Sequence, residues 1–364
     1  MRRARDRAVG ALALLCATVS WGVGGPMFRE VRAASSVLRL SWRGQASVCF
    51  SAVPLGVVLL ASSAHRATHR GARLGALAVG TCMFAMFVGW NVGIDRTAFS
   101  RVAVLAQTHP LFIGLFGAAR KRIWGVGRAP ARGEWCGIVV AFVGVALTAS
   151  ARGRGGARKP PTAAGDAAAL GCGVFSAAYA LAIQRWFGAH GAGIPNAHPV
   201  YVQATAATVM TLWSFLVLAA VPGQVWVSSA PPYDKGVFDW PKSDDFWPGV
   251  VSIGSLAIMG HMFLTFAMLK LPLIVCSLAM TLTPVLQTLF SAALLDDDTP
   301  SPQGIAGGML VICGIAISLF FGHRDAAQLS VNEESERSGV SLCEVEEAGP
   351  PEKEKEDDAR PASA

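Results

Sequence analysis

Two histidines stand inside long apolar runs, where an ionisable side chain is costly to bury. His109 directly precedes Pro110, and His261 lies in a later run. Because an imidazole titrates near neutral pH, His109 is a candidate carrier of a coupled proton, and a stronger one than His261 because it adjoins a proline. The alternative interpretation is a neutral imidazole that is hydrogen-bonded to a backbone carbonyl.

A small set of amide, hydroxyl and aromatic side chains also occurs at apolar positions. A binding cavity needs a few such groups among apolar walls, although each alone could equally form a hydrogen bond between helices. The candidate substrate-binding residues are Trp21, Asn91, Gln107, His109, Tyr179, Gln203, Thr283 and Gln287. Gln107, Thr283 and Gln287 are the strongest of these because they flank two prolines.

These two prolines belong to a stretch that occurs twice. Residues 103–119 and 277–293 align without a gap on Pro110 and Pro284, and share a leucine, a phenylalanine and two alanines after the proline. A proline inside a helix removes one backbone hydrogen bond and frees a carbonyl group. Both prolines are therefore candidate hinges, and the alternative is a static kink that aids packing.

Each copy of this stretch is followed by an apolar run with two glycines seven residues apart. The pairs are Gly137 with Gly144, and Gly307 with Gly314. Seven residues are close to two helical turns, so each pair lies on one helix face. Since glycine lets a second backbone approach closely, we expect these residues to serve helix packing.

The composition indicates that these runs cross a membrane. The chain has 364 residues, of which 52% are hydrophobic and 15% are charged, whereas soluble domains carry about 25% charged residues. Runs of about 20 apolar residues can cross a hydrocarbon core about 30 Å thick. The ten predicted spans cover residues 8–27, 44–60, 74–94, 98–119, 134–151, 165–187, 199–221, 247–269, 272–295 and 303–321. The predicted fold class is therefore an all-α polytopic membrane protein with ten transmembrane helices.

The repeated stretches fall in the fourth and ninth spans, which divides the chain into two sets of five spans. Because five is odd, the second set enters the membrane from the opposite side, as in an inverted-topology repeat. The predicted segments are a basic cytosolic N-terminus (1–7), a first repeat (8–151), a Gly/Pro/Arg linker (152–164), a second repeat (165–321) and an acidic disordered tail (322–364). We expect both termini in the cytosol.

Charged residues lie mainly between the spans, and the net charge of +7 is typical of contact with lipid headgroups rather than with nucleic acid. Most of them should extend towards the membrane interface, while Arg39 or Arg101 could attract an anionic substrate. The eight cysteines form no Cys-x-x-Cys pair, so we expect no metal site. No motif for catalysis or for a cofactor is present, and we predict that the chain is not an enzyme and has no cofactor.

The pattern resembles the EamA type of the drug/metabolite transporter superfamily. The resemblance rests on Ser20-Trp21 in the first span, on Pro110 and Pro284, and on the paired glycine runs, and it covers about residues 8–321. It implies two inverted five-helix repeats, a central cavity, alternating access, and transport of metabolites by proton coupling or exchange. The long connection at 222–246 and the acidic tail depart from the usual pattern.

The sequence therefore predicts a secondary transporter of small organic metabolites. The alternatives are a non-transporting scaffold or receptor that acts through its acidic tail, and an integral-membrane enzyme, which the lack of a catalytic motif disfavours. The expected partners are a small-molecule metabolite and membrane lipids, without nucleic acid, and a homodimer is compatible with the sequence. No address signal separates the plasma membrane from an organelle membrane.

Overall fold

The part of the chain that the structure describes is predominantly helical. The structure is a computed structural model, and it describes residues 2–29, 31–62, 70–97, 99–124, 130–150, 162–188, 192, 194–195, 197–294 and 301–321. Within these ranges there is no β-strand, which confirms the all-α class. Most of the predicted linker (152–164) and the whole predicted tail (322–364) lie outside the described residues.

The described residues form twelve α-helices in chain order. They are α1 (Arg2–Arg29), α2 (Ser36–Ala61), α3 (Arg70–Arg96), α4 (Phe99–Ala106), α5 (His109–Trp124), α6 (Arg132–Ser150), α7 (Ala163–Phe187), α8 (Pro199–Ala219), α9 (Ser252–Lys270), α10 (Leu273–Met280), α11 (Thr283–Leu294) and α12 (Pro302–Phe321). A π-helical turn, Phe246–Val251, leads into α9.

Seven segments are long and apolar enough to cross a membrane. They are Ala8–Phe28, Ser36–Ala61, Arg70–Arg96, Ala163–Phe187, Pro199–Ala219, Leu273–Phe290 and Pro302–Phe321. A helix of about 20 residues spans about 30 Å, the thickness of a hydrocarbon core. The protein is therefore an integral, multi-pass membrane protein, as predicted.

The first two helices begin earlier than the sequence predicted. Helix α1 starts at Arg2 and therefore includes the described residues of the predicted basic N-terminus (1–7), ahead of the candidate span Ala8–Phe28. Helix α2 starts at Ser36, because the Ser35 hydroxyl oxygen accepts a hydrogen bond from the Leu38 amide at 3.1 Å and caps the helix. This early start places Arg43 inside the bundle, whereas the sequence placed it in a connection.

The predicted fourth and ninth spans are each broken into two helices. Helix α4 ends at Ala106 and α5 begins at His109, while α10 ends at Met280 and α11 begins at Thr283. Pro110 and Pro284 are thus the second residues of α5 and α11. The sequence had predicted that each would lie inside one continuous helix, and this differs from the structure. Proline is well tolerated there, because the first amides of a helix have no partner within it.

Helices from the two halves of the chain interleave. Helix α3 lies so close to α7 that a Cβ atom added at Gly89 would be 2.6 Å from the Ala168 carbonyl oxygen. Helix α1 packs on α9 and α11, and α2 packs on α8. One hydrophobic core accordingly contains side chains of both halves, for example Met83 and Met210.

The long connection between α8 and α9 packs against α2. The Trp42 indole Nε1 donates to the Gly236 carbonyl oxygen at 3.0 Å, and Gln45 Nε2 donates to the Val237 carbonyl oxygen at 2.8 Å. Trp240 Nε1 donates to Gln45 Oε1 at 2.9 Å. The connection is therefore held by buried hydrogen bonds at the end of the bundle where α2 begins.

The four repeated glycines meet in one contact between α6 and α12. A Cβ atom at Gly144 would lie 2.6 Å from the Gly307 carbonyl oxygen, and one at Gly314 would lie 2.6 Å from the Gly137 carbonyl oxygen. No larger residue fits without moving one backbone away from the other. This close approach is the geometry that the predicted packing role requires.

We predict that Gly144→Leu destabilises the fold, because the leucine must separate α6 from α12. Overpacking costs about 1–3 kcal/mol even where side chains can yield, and here the obstacle is backbone. The expected result is a lower melting temperature or aggregation in detergent, measured by fluorescence-detected gel filtration after heating. Gly171→Leu is the matched control, because a Cβ atom at Gly171 meets nothing within 4 Å. Equal melting temperatures for the two variants would contradict the prediction.

Candidate functional site

A cavity lies between the two halves of the helical bundle. Its volume is about 110 Å³, several times the roughly 10–15 Å³ that one water molecule needs. Side chains of α1, α2, α3, α4 and α5 line it from the first half, and side chains of α7, α9, α10 and α11 line it from the second. The space therefore depends on how the halves meet and belongs to neither alone.

Most of the candidate substrate-binding residues line this cavity. Those that do are Trp21, Gln107, His109, Tyr179, Thr283 and Gln287. Asn91 and Gln203 do not, since both side chains are fully buried by neighbouring helices. Asn91 instead donates from Nδ2 to the Phe87 carbonyl oxygen one turn earlier, at 2.8 Å. For Asn91 the structure thus favours a local helical hydrogen bond.

Gln203 acts behind the cavity wall, through Tyr179. The Tyr179 hydroxyl donates to Gln203 Oε1 at 3.1 Å and lies 3.4 Å from His261 Nδ1. Gln203 Nε2 is 3.6 Å from the Met83 sulfur. These contacts fix the Tyr179 ring, so Gln203 can influence the cavity without touching a ligand.

His261 is enclosed by aromatic rings at the cavity. Its ring centroid lies 4.5 Å from that of Trp21, 5.5 Å from that of Phe87 and 5.8 Å from that of Tyr179, each in an edge-to-face arrangement. Edge-to-face pairs are the favoured geometry for such rings. His109 also lines the cavity, from the broken helix pair α4/α5. Both histidines singled out from the sequence therefore reach the same space.

Arg43 lines the same cavity, although sequence analysis did not select it. Its side chain is 8% exposed, and its guanidinium carbon lies 3.8 Å from the ring centroid of Phe87, 5.3 Å from that of Phe28 and 5.6 Å from that of Trp21. The signal that could have found it is the Ser35-Ser36 pair, a typical helix start that would have placed Arg43 two turns inside α2.

By contrast, Arg39 is held away from the cavity. Its Nη1 atom pairs with Asp95 Oδ1 at 3.4 Å, and Asp95 also accepts a hydrogen bond from the Ser36 hydroxyl. Its charge is thus balanced at the ends of α2 and α3. The other predicted anion-attracting residue, Arg101, has a side chain outside the described part of the structure.

Both helix breaks open onto the cavity. Ala106 and Gln107 line it at the first break, and Met280 and Thr283 line it at the second. The last residues before each break turn more tightly than an α-helix: the Thr108 amide donates to the Leu105 carbonyl oxygen at 3.3 Å, and the Thr281 amide donates to the Leu278 carbonyl oxygen at 3.0 Å. The repeated prolines therefore mark two matching places where helix ends face the cavity.

Several buried polar atoms at the cavity have no hydrogen-bond partner among the described residues. They are Trp21 Nε1, Gln107 Oε1, His109 Nδ1, His261 Nε2, Ser277 Oγ, Thr283 Oγ1 and Gln287 Oε1. Buried polar atoms are nearly always paired, so each of these is available to a ligand or to water. Together they offer both hydrogen-bond donors and acceptors to a small polar molecule.

Glycines of α1 allow α11 to reach the cavity. A Cβ atom at Gly22 would lie 2.7 Å from the Leu286 Cβ atom, and one at Gly25 would lie 2.1 Å from Gln287 Nε2. Gln287 Nε2 is in turn 3.4 Å from the Trp21 carbonyl oxygen. The glycine-rich stretch in α1, which sequence analysis did not use, therefore positions Gln287 beside Trp21.

The described part of the chain contains no cluster of three or more histidine, cysteine or acidic residues that could hold a metal ion. The described side chains that line the cavity include no aspartate or glutamate. The arrangement can bind and surround a small molecule.

Comparison with known proteins finds a family similarity in the first half of the chain. The sequence profile of the EamA-like transporter family matches residues 8–150. The match coincides with the predicted first repeat (8–151), and it confirms the predicted EamA-type resemblance. The EamA-like family points to a membrane transporter of the drug/metabolite type and to a role other than catalysis.

A solved crystal structure of a protein of unstated function has a similar fold. It matches with a TM-score of 0.63 at 18% sequence identity, over 87% of this chain and 99% of the other. At this identity the likeness shows the fold alone, and it extends over both halves of the chain. No curated protein matches this chain in sequence.

Proposed function

We propose that the protein is a secondary transporter of small organic metabolites that works by alternating access between two inverted repeats. The observation that carries the proposal is the cavity between the two halves, with its polar atoms that no described residue pairs. A static bundle gains nothing from such atoms, whereas a transporter needs them to bind a solute temporarily.

The helix ends support ten crossings of the membrane. We count α4 with α5, and α10 with α11, as one crossing each, which turns twelve helices into ten crossings. At one end of the bundle, Thr97 Oγ1 donates to Asp166 Oδ1 at 2.9 Å, and Gln303 Nε2 donates to Ser150 Oγ at 2.9 Å. These contacts join the end of α3 to the start of α7, and the end of α6 to the start of α12.

At the opposite end, the Ser318 hydroxyl donates to the Glu134 carbonyl oxygen at 3.1 Å, which joins the start of α6 to the end of α12. A Cβ atom at Gly10 would lie 3.0 Å from a Leu271 side-chain atom, which brings the start of α1 to the residue after α9. These four contacts belong to three helix pairs, α3 with α7, α6 with α12 and α1 with α9, and all three are antiparallel. This arrangement fits five crossings in each half and hence an inverted second half.

The broken helices supply the moving parts of the mechanism. Each pair is joined by a short turn before a proline, and such turns can absorb changes in backbone angles more easily than a continuous helix. The breaks occur at equivalent places in the two repeats, at Pro110 and Pro284, and both face the cavity. Motion about them would open the cavity first to one side of the membrane and then to the other.

We predict that the purified protein, reconstituted in liposomes, catalyses exchange of a metabolite across the membrane. Counterflow is the sharpest assay, because a preloaded unlabelled solute drives accumulation of the same labelled solute without an added energy source. A panel of amino acids, organic acids, organic cations and nucleosides covers the range of small metabolites. Accumulation of at least one of them above protein-free liposomes is expected.

Gln287→Leu is the matched variant for this assay, because it removes a polar cavity group and keeps a similar volume. We expect a reduced counterflow rate at unchanged protein incorporation. Folded, correctly inserted protein without counterflow of any solute in the panel would contradict transport, and would favour a scaffold or receptor instead.

We further propose proton coupling through His109, which lines the cavity beside the first break. The other titratable or charged groups at this space are His261, Tyr179, Cys172 and Arg43. An imposed pH gradient should stimulate net uptake by the unchanged protein. His109→Ala should abolish the stimulation while leaving counterflow measurable, because exchange does not require net proton movement. Uptake that keeps its full pH dependence in His109→Ala would contradict the assignment of proton coupling to His109. His261→Ala is the control variant in this assay.

A further inference from the structure

We propose that Arg43 selects the substrate, and that the substrate is a small organic monocarboxylate with an aromatic or aliphatic body. This inference rests on the proposed transport function and adds the chemical class of the transported molecule. The first observation is charge. Arg43 is the one lysine, arginine, aspartate or glutamate among the described residues that line the cavity.

No described carboxylate balances this charge. The described residues give Arg43 no ion pair and no hydrogen bond, and its guanidinium group lies over the rings of Phe87, Phe28 and Trp21. A buried charge is strongly unfavourable unless it is paired. Within a membrane-spanning helix, an unpaired arginine at a cavity is therefore a binding group whose natural counter-charge is a ligand anion.

The geometry leaves the guanidinium group able to bind that anion. The guanidinium carbon lies over the Phe87 ring, 3.8 Å from its centroid. Its five N–H donors lie in the guanidinium plane and match the two oxygens of a carboxylate. Since no described residue accepts a hydrogen bond from Arg43, these donors remain available to a carboxylate.

The cavity wall limits what is attached to the carboxylate. Trp21, Phe28, Phe87 and Trp90 present aromatic surface, and Leu264 and Met268 present aliphatic surface. With no described acidic residue there, an ammonium group would find no partner of opposite charge. A nucleotide or sugar bisphosphate would bring several negative charges to one guanidinium group. A monoanion with an apolar body fits both the charge and the surface.

The broken helices add a weaker attraction for an anion. Helices α5 and α11 begin at the cavity, with His109 and Thr283 lining it, and the N-terminus of a helix carries a partial positive charge. Two such ends around one space favour an anion over a cation. They support the assignment of Arg43 without being needed for it.

The test compares three probes that share one body and differ in charge: phenylacetate, phenylacetamide and phenethylamine. Their dissociation constants for the full-length protein in detergent are measured by isothermal titration calorimetry. We expect phenylacetate to bind at least about tenfold more tightly than the amide, as a charge-assisted hydrogen bond implies, and we expect the amine to bind most weakly. An amide or amine that binds as tightly as phenylacetate, or a carboxylate that does not bind, would overturn the proposal.

Variants of two arginines on α2 then locate the effect. Arg43→Met should lower phenylacetate affinity by roughly ten- to a hundredfold and leave phenylacetamide affinity within about threefold. Arg39→Met is the matched control: it removes an arginine one turn away that pairs with Asp95 outside the cavity, and it should keep the preference for the carboxylate. If Arg43 served only to pack on Phe87, Arg43→Met would weaken both probes equally, and that result would refute the proposal.

Arg43→Lys keeps a positive charge at this position, and with it the contribution of that charge to folding. It removes the pair of N–H donors that lie in the guanidinium plane. It should retain a smaller preference for phenylacetate over phenylacetamide, and it decides the matter should Arg43→Met fail to fold. A lysine variant whose preference equals that of the unchanged protein would contradict carboxylate recognition by the guanidinium plane. Because calorimetry needs no transport, anion binding without counterflow would refute only the transport function, whereas counterflow of neutral or cationic solutes alone would refute only the role of Arg43.

Discussion

In hydrocarbon, a backbone N–H or C=O group without a partner is strongly unfavourable, and this constraint decides where a membrane-spanning chain can interrupt its helices. The two interruptions here, after Ala106 and after Met280, both face the central cavity. Each is followed by a proline at the second position of the next helix, where the missing amide is not needed. The cavity and the breaks therefore depend on each other: the space accommodates the breaks, and residues at the breaks, such as Gln107 and Thr283, supply some of the polar groups that line it.

An unpaired side-chain charge is unfavourable in hydrocarbon for the same reason, and this cost applies to the arginines of the first half. Arg39 is balanced by Asp95 where α2 and α3 meet, while Arg43, one turn deeper, faces the cavity and lies against aromatic rings. Two arginines four residues apart on one helix thus have different surroundings and, in our proposal, different tasks: one fastens helix ends and the other binds an anion. The long connection packed on Trp42 and Gln45 holds this part of α2 in place.

Much of this organisation could be predicted from the sequence, because spans and glycine contacts follow from residue spacing. Gly137, Gly144, Gly307 and Gly314 were predicted to serve packing, and they meet in one helix pair. Arg43 was missed because the second span was predicted from its run of apolar residues. That criterion does not detect a helix start that is set by a serine cap. Asn91 does not line the cavity, and sequence spacing alone cannot tell a position that faces a cavity from one that faces a neighbouring helix. Pro110 and Pro284 were predicted to be hinges inside continuous helices, and the complete breaks before them could not be predicted, because only the fold shows the space that accommodates them.

In the proposed alternating-access mechanism, Cys172 is a direct reporter, since it lines the cavity and should be reachable from either side of the membrane in turn. The measurement uses a variant with Cys172 as its sole cysteine, in sealed right-side-out and inside-out vesicles, with a thiol reagent that cannot cross the membrane. We predict labelling in both vesicle populations, because each molecule opens to each side during its cycle. Labelling in one population only, or in neither, would contradict alternating access.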